Sequence, residues 1–183
     1  MKTINNTINC FVPYLSDEQI AKTSINLQNK LLVNEVIFLK SDIRSTETIR
    51  YIASRADTPY TLIYTKFTSL SFVLYALERM VALLEDSGAA MVYADHFNKS
   101  ADSVTHAPVI DYQFGALRDD FDFGSVLLFR TSAIKEAVGR MDTEYKFAGL
   151  YDLRLKVSQK GALEHIKEYL DRKSTRLNSS HGY

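Results

Sequence analysis

The sequence predicts an α/β fold: a mixed, mostly parallel sheet flanked by helices, in a single domain. Three observations carry this expectation. The runs 60–64 and 89–94 are short, apolar and free of polar alternation, the pattern of strands buried on both faces. Between them Phe72, Val73, Ala76, Leu77, Met80, Leu83 and Leu84 recur at helical spacing. Four strands and three helices alternate in this way within the first 96 residues, the order of βαβ units joined by right-handed crossovers.

Residues 7–12 read as the first strand, stopped by Pro13. Ser16, with Gln19 three residues on, makes a capping box that opens a helix through about Asn29. Ile20, Ser24, Leu27 and Leu31 form its expected inner face. Residues 35–39 are the second strand and 40–44 a polar loop. Ser45 then caps a helix carrying Ile49, Ile52 and Ala53, broken at Asp57-Thr58-Pro59. After the strand 60–64, a helix over about 71–86 ends at Gly88 as its C-cap. The fourth strand, 89–94, stops abruptly at Asp95 and His96.

Beyond Asp95 the pattern loosens. Residues 98–106 are polar, suited to a hairpin tip, and 108–110 resume an extended run. The stretch 111–123 is aromatic and acidic. Its Asp119, Asp120 and Asp122, interleaved with Phe121 and Phe123, read either as a solvated loop or as a sugar-facing surface with stacking rings. Residues 124–129 form a strand, and Thr131 or Ser132 caps a short helix to about Arg140. Residues 151–160 are helical with Leu153, Leu155 and Val157 inward, Gly161 closes that helix, and 162–170 form a final strand. His106 and His165 have no partner legible in the sequence and read as structural.

The bulk properties exclude several classes. A chain of 183 residues suits one domain with a sizeable core. Its net charge of zero offers no global attraction to nucleic acid or membrane. The single cysteine, Cys10, lies in an apolar run, excludes an internal disulfide and reads as a buried small hydrophobe. No apolar run approaches the ~20 residues of a membrane span, and no signal-peptide core follows Met1. The expectation is a cytoplasmic protein, or one peripheral at the inner membrane face through a segment absent from this sequence. Residues 171–181 match, codon for codon, the translation of a common short-read sequencing adapter. The domain is therefore expected to occupy 1–170, continuing natively beyond Leu170, with 171–183 an artefactual tail. Without Asp171, Arg172, Lys173 and Arg176 the net charge is −2.

No Gly-rich phosphate loop, metal-type Cys/His spacing or Gly-x-Ser-x-Gly elbow occurs. The turn after the first strand, Pro13-Tyr14-Leu15-Ser16, contains no glycine, which disfavours a Rossmann dehydrogenase and a nucleotidyltransferase with a Gly-rich first loop. In open α/β sheets ligands bind beyond the carboxyl ends of the strands, where Asp95 and His96 are expected to stand.

Over roughly residues 8–170 the order of elements resembles the family 2 glycosyltransferases of the GT-A (Rossmann-like) fold, which are nucleotide-diphospho-sugar transferases. Pro13-Tyr14 looks like the family's Pro and aromatic beside the nucleotide base. Asp42 lies at or one position from its Asp-rich loop, and Ser45-Thr46-Glu47-Thr48 matches that loop's exit into the second helix. Met91-Val92-Tyr93-Ala94-Asp95 looks like the strand after the family's third helix. Phe123-Gly124-Ser125 and the helix through Ala137-Val138-Gly139-Arg140-Met141-Asp142 resemble the acceptor-side segment. Tyr151-Asp152-Leu153-Arg154-Leu155-Lys156 resembles the late acidic helix. The resemblance implies transfer of a sugar, with inversion, from a nucleotide-sugar donor to a glycan or lipid-linked acceptor, in cell-surface polysaccharide synthesis.

Two departures shape the expected site. Where the family's metal-binding Asp-x-Asp is expected, the chain reads Tyr64-Thr65-Lys66-Phe67-Thr68. Lys66 is then either a point charge for the donor diphosphate or a solvated lysine. The leading Glu-Asp of the late helix is replaced by Gly149-Leu150, leaving Asp152 as the candidate general base or as a carboxylate that stabilises a helix start. Asp95 and His96 are candidate ligands for a divalent cation, Mn or Mg, with a loop-capping carboxylate and a backbone-bonded imidazole as the other reading. The expected donor-binding residues are thus Pro13, Tyr14, Asp42, Lys66 and Asp95. The competing function is a catalytically impaired domain that binds a nucleotide sugar or partner without turnover.

Overall fold

The apolar runs become the strands of one sheet in a computed structural model that describes residues 7–99, 103–113 and 122–170. The elements are β1 (Ile8–Pro13), α1 (Asp17–Leu27), β2 (Val33–Leu39), α2 (Thr46–Arg55), β3 (Tyr60–Tyr64) and α3 (Ala76–Ser87). They continue with β4 (Met91–Lys99), β5 (Val104–Ala107), β6 (Val126–Arg130), α4 (Thr131–Val138), α5 (Gly149–Ser158) and β7 (Leu163–Tyr169). The strand order is β2-β1-β3-β6-β4-β5, with β7 also paired to β4. Strand β1 is parallel to β2 and β3, and β4 is parallel to β7. Strand β6 runs antiparallel between β3 and β4, and β5 is antiparallel to β4. The expected mixed sheet flanked by helices is therefore present, its described pairings divided evenly between the two senses.

Alternation along each strand explains why the runs are apolar throughout. Phe11, Ile63, Met91, Tyr93, Leu127 and Phe129 meet α2, α4 and α5 through Ile49, Ile52, Ile134, Leu150, Leu153 and Val157. Cys10, Leu62, Val92, Ala94, Val126 and Leu128 meet α1 and α3 through Leu27, Leu77, Met80 and Leu84. Each fully buried large apolar side chain contributes about 1.5–3 kcal/mol. Cys10 is one of the fully buried residues, as expected.

Four local expectations change. The inner face of α1 is Gln19, Thr23 and Leu27, while Leu31 is exposed. Gln19 is drawn inward because its amide donates to the carbonyls of Pro13 (2.9 Å) and Thr68 (3.0 Å) and accepts from Leu15 N–H (3.0 Å). Helix α3 starts at Ala76 instead of about 71, because Val73 N–H is held by the Leu170 carbonyl at 3.0 Å. Thr131 lies inside α4, its hydroxyl 2.7 Å from that of Thr61, so it braces helix to sheet instead of capping. Strand β4 does not stop at Asp95. It runs on to Lys99 because His96–Lys99 pair with β5, which occupies 104–107 in place of the expected 108–110. The hairpin expected around 98–106 is this β4–β5 pair. Asp119, Asp120, Phe121 and residues 171–183 lie outside the described residues.

Candidate functional site

A cavity of about 480 Å³ opens at the carboxyl ends of β2 and β3. Ile43 and Arg44, just after β2, form one wall, and Thr65 and Phe67, just after β3, form another. Asp122 and Gly124 line it before β6, and Phe147, just before α5, with Leu150, Tyr151 and Arg154 of α5 close it. The location is the one expected for ligands in an open α/β sheet.

Two close backbone approaches set this shape. Gly149 N–H donates to the Arg44 carbonyl at 2.6 Å, and a Cβ at Gly149 would stand 2.5 Å from Thr46 N. Only glycine lets the starts of α2 and α5 approach so closely. Tyr145 N–H donates to the Thr46 hydroxyl (2.9 Å) and Thr46 N–H to the Tyr145 carbonyl (2.9 Å), so the 145–149 loop is clamped to α2. Gly124 has φ +74°, and a Cβ there would lie 2.3 Å from the Ala94 carbonyl oxygen. Asp122 accepts from Gly124 N–H at 2.7 Å, which holds its carboxylate on the cavity wall.

None of the seven residues expected to bind donor or metal or to act as base is itself part of the lining, though several adjoin it; Asp122, expected in a solvated or sugar-facing loop, does line it. Pro13 is buried at the end of β1, and Lys40 Nζ stands 5.8 Å above the Tyr14 ring. Asp42 grips Arg44 in a two-pronged pair, Nε–Oδ1 3.0 Å and Nη2–Oδ2 2.7 Å, which holds its carboxyl below the usual range. Arg44 in turn covers the Phe147 ring at 5.0 Å. Lys66 Nζ donates to the Phe97 carbonyl, tying the β3 exit to β4.

Asp95 and His96 serve different neighbours. Asp95 accepts from Val109 N–H (2.9 Å) and faces His165 Nε2 (2.8 Å), while His96 Nε2 lies 3.7 Å from Asp122 Oδ2. Asp152 is buried, with Oδ1 2.5 Å from Lys156 Nζ and Oδ2 without a hydrogen-bond partner. Among the described residues no three His, Cys, Asp or Glu side chains converge to hold a metal ion. Asp95 Oδ1, one of the expected ligand atoms, is already engaged by Val109 N–H and His165.

Three residues escaped the sequence reading. His165, expected to lack partners, stands between Asp95 and Asp111 (Nδ1 to Oδ1 2.7 Å) and stacks on Tyr93 at 4.9 Å. Register pairs Tyr93 with His165 across β4 and β7, which no local pattern reveals. Arg44 was hidden by its place in a polar loop. Arg154 was legible in part, since it sits three and four residues after Tyr151 and Leu150 on one helix face.

No protein-family model matches the chain, and no curated protein matches it. Its fold is similar to that of TarS from S. aureus solved in complex with UDP-GlcNAc, at TM-score 0.58 and 11% identity. That likeness covers 97% of this chain and 61% of TarS 1–349, so the chain spans about three fifths of that length. The bifunctional IspDF from Campylobacter jejuni is similar at TM-score 0.54 and 11% identity, over 88% of this chain and 49% of that one. The 4-diphosphocytidyl-2C-methyl-D-erythritol synthase from Anaerococcus prevotii is similar at TM-score 0.50 and 10% identity, over 88% and 89%. The chain thus shares with these structures a mixed α/β fold, one sheet flanked by helices.

Proposed function

We propose that the chain binds a nucleotide-sugar donor in the cavity beyond β2 and β3 and transfers the sugar, with inversion, to a glycan or lipid-linked acceptor. The observation that carries this reading is the cavity itself, walled by Phe67, Phe147 and Tyr151 and by the charges of Arg44, Arg154 and Asp122. Its fold is shared with a protein solved with UDP-GlcNAc. The aromatic faces suit a base or a sugar ring. In an inverting transfer the acceptor oxygen bonds to the anomeric carbon as the bond to the diphosphate breaks. The acceptor proton passes to a carboxylate within hydrogen-bond reach. Asp122 is the carboxylate on the cavity wall, and in this reading it takes that proton. Asp152, engaged by Lys156, then braces α5. No step is routed through a cation. Cell-surface polysaccharide synthesis is the setting that the sequence resemblance supports.

The second reading, a domain that binds without turnover, is favoured by Leu150 at the position where the resemblance leads one to expect an acid. Calorimetry with UDP- and GDP-sugars, with and without manganese, tests the first. Binding that is indifferent to manganese is expected, and no binding to any donor overturns it. A donor that binds yet is neither hydrolysed nor transferred to any acceptor supports the second.

A further inference from the structure

Arginines that are partly buried in this fold use their forks. Arg130 donates to the carbonyls of Ala89 (2.8 Å) and Leu84 (2.5 Å) and pairs with Glu85 at 2.8 Å. Arg140 donates to the Lys156 carbonyl at 2.9 Å. Arg154 differs. Its Nε is buried without a partner, as is that of Arg140, but where Arg140 still donates through Nη2 to the Lys156 carbonyl, the Arg154 guanidinium lies 5.0 Å above the Phe123 ring and lines the cavity. Burial brings its pKa down from 12.5 to about 10, opposed by Asp122 and Tyr151, so the group stays charged at neutral pH. A ring face compensates a desolvated cation only in part. Leaving the buried Nε–H without an oxygen acceptor costs stability, unless a ligand brings the acceptor. Arg44, the other cation of the lining, is already neutralised by Asp42.

We infer that Arg154 anchors an oxyanion-binding subsite in the cavity, its planar fork taking the paired oxygens of a phosphate group. The fork matches such oxygens in a way an ammonium does not. Phe123 lies against the guanidinium at 5.0 Å, and Phe67, Phe147 and Tyr151 supply the apolar part of the surrounding wall. The phosphate can belong to the donor's diphosphate or to an anionic acceptor. The identification of the anion's carrier rests on the proposed function, but the subsite itself does not.

The test is calorimetry on the full chain with inorganic pyrophosphate, for the wild type, Arg154→Gln and Arg154→Lys, each first checked for cooperative melting. Wild-type binding is expected, weakened about 10- to 100-fold in Arg154→Gln and nearly as much in Arg154→Lys, the loss of a charge-assisted pair. Arg154→Lys covers the case in which Arg154→Gln fails to fold. Equal affinity in the variants, or no wild-type binding at millimolar pyrophosphate, overturns the inference. UDP that displaces pyrophosphate assigns the subsite to the donor, and UDP that binds beside it assigns it to the acceptor. If pyrophosphate binds through Arg154 while no nucleotide sugar binds, the proposed function falls and this subsite stands.

Discussion

His165 and Asp95 meet at 2.8 Å across the seam of β4 and β7, with both side chains almost wholly buried. The other ring nitrogen of His165 faces Asp111, which Lys167 also holds at 2.8 Å. Each ring nitrogen of His165 thus faces a carboxylate oxygen. Tyr93 stacks beneath the ring, and its hydroxyl accepts from Tyr112 N–H at 2.7 Å and donates to the Ile110 carbonyl at 3.0 Å. The cluster pins the 109–112 segment to the sheet. Replacing His165 with Ala leaves the buried Asp95 carboxylate with Val109 N–H as its remaining partner and is expected to cost about 1–3 kcal/mol in urea denaturation. A loss below about 0.5 kcal/mol, the scale of an exposed pair, would show that the seam does not depend on it.

Gly149 is the contact on which the cavity's shape depends. In Gly149→Ala the new Cβ meets the backbone at Ser45 and Thr46, so α5 must shift away from α2. The expected cost is about 1–3 kcal/mol by thermal or denaturant melting. Ligand affinity at the cavity should fall with it, because Arg44 and Tyr151 are carried by the two displaced helix starts. Unchanged affinity would mean that the cavity is not the binding site.

The two candidate bases give opposite predictions. Asp122→Asn keeps the shape of the cavity wall while removing the proton acceptor, and turnover is expected to fall about 100-fold or more. Asp152→Asn removes the partner of Lys156, and the expected loss is in stability, about 1–3 kcal/mol. Steady-state rates on an identified acceptor decide between them. Full turnover in Asp122→Asn with none in Asp152→Asn would return the role to Asp152.

Burial also sets the alkaline limit. Tyr60 and Tyr93 are each raised from 10.0 to about 12, chiefly by desolvation, and Cys10 is raised from 9.0 to about 12 by desolvation alone. Below pH 9 folded and unfolded chains hold the same protons at these groups, and their full contribution is present. From pH 9 for Cys10 and pH 10 for the tyrosines, up to about 12, only the unfolded chain ionises. Stability must therefore fall as pH rises through that window. Denaturation midpoints against pH should show the decline, and a flat profile to pH 12 would contradict it. The Cys10 thiol should react with alkylating reagents only on unfolding.

The strands and helices were legible because local chemistry decides them. The run 60–64 is β3 residue for residue, Ser45 accepts from Thr48 N–H as the cap of α2, and Gly88 ends α3 in the left-handed conformation. The face of α1 was misjudged because Gln19 looks polar in sequence, yet three hydrogen bonds make its burial favourable. The site was harder to read. Motif positions led to Lys66, Asp95, His96 and Asp152, each of which has a polar neighbour within the fold. The cavity falls to their neighbours Thr65, Phe67 and Tyr151, and to Arg154.

By itself the sequence determined the α/β class, the order of its elements and the two apolar faces of the sheet, because burial and hydrogen bonding act along a period of two or 3.6 residues. Tertiary structure alone decided that β7 brings His165 to Asp95, that Gly149 brings α5 to Arg44, and that Arg154 faces a cavity. Those relationships join residues 70, 105 and more positions apart. A side chain's charge has a use only once such distant partners have been brought to it or withheld, and no local period encodes that.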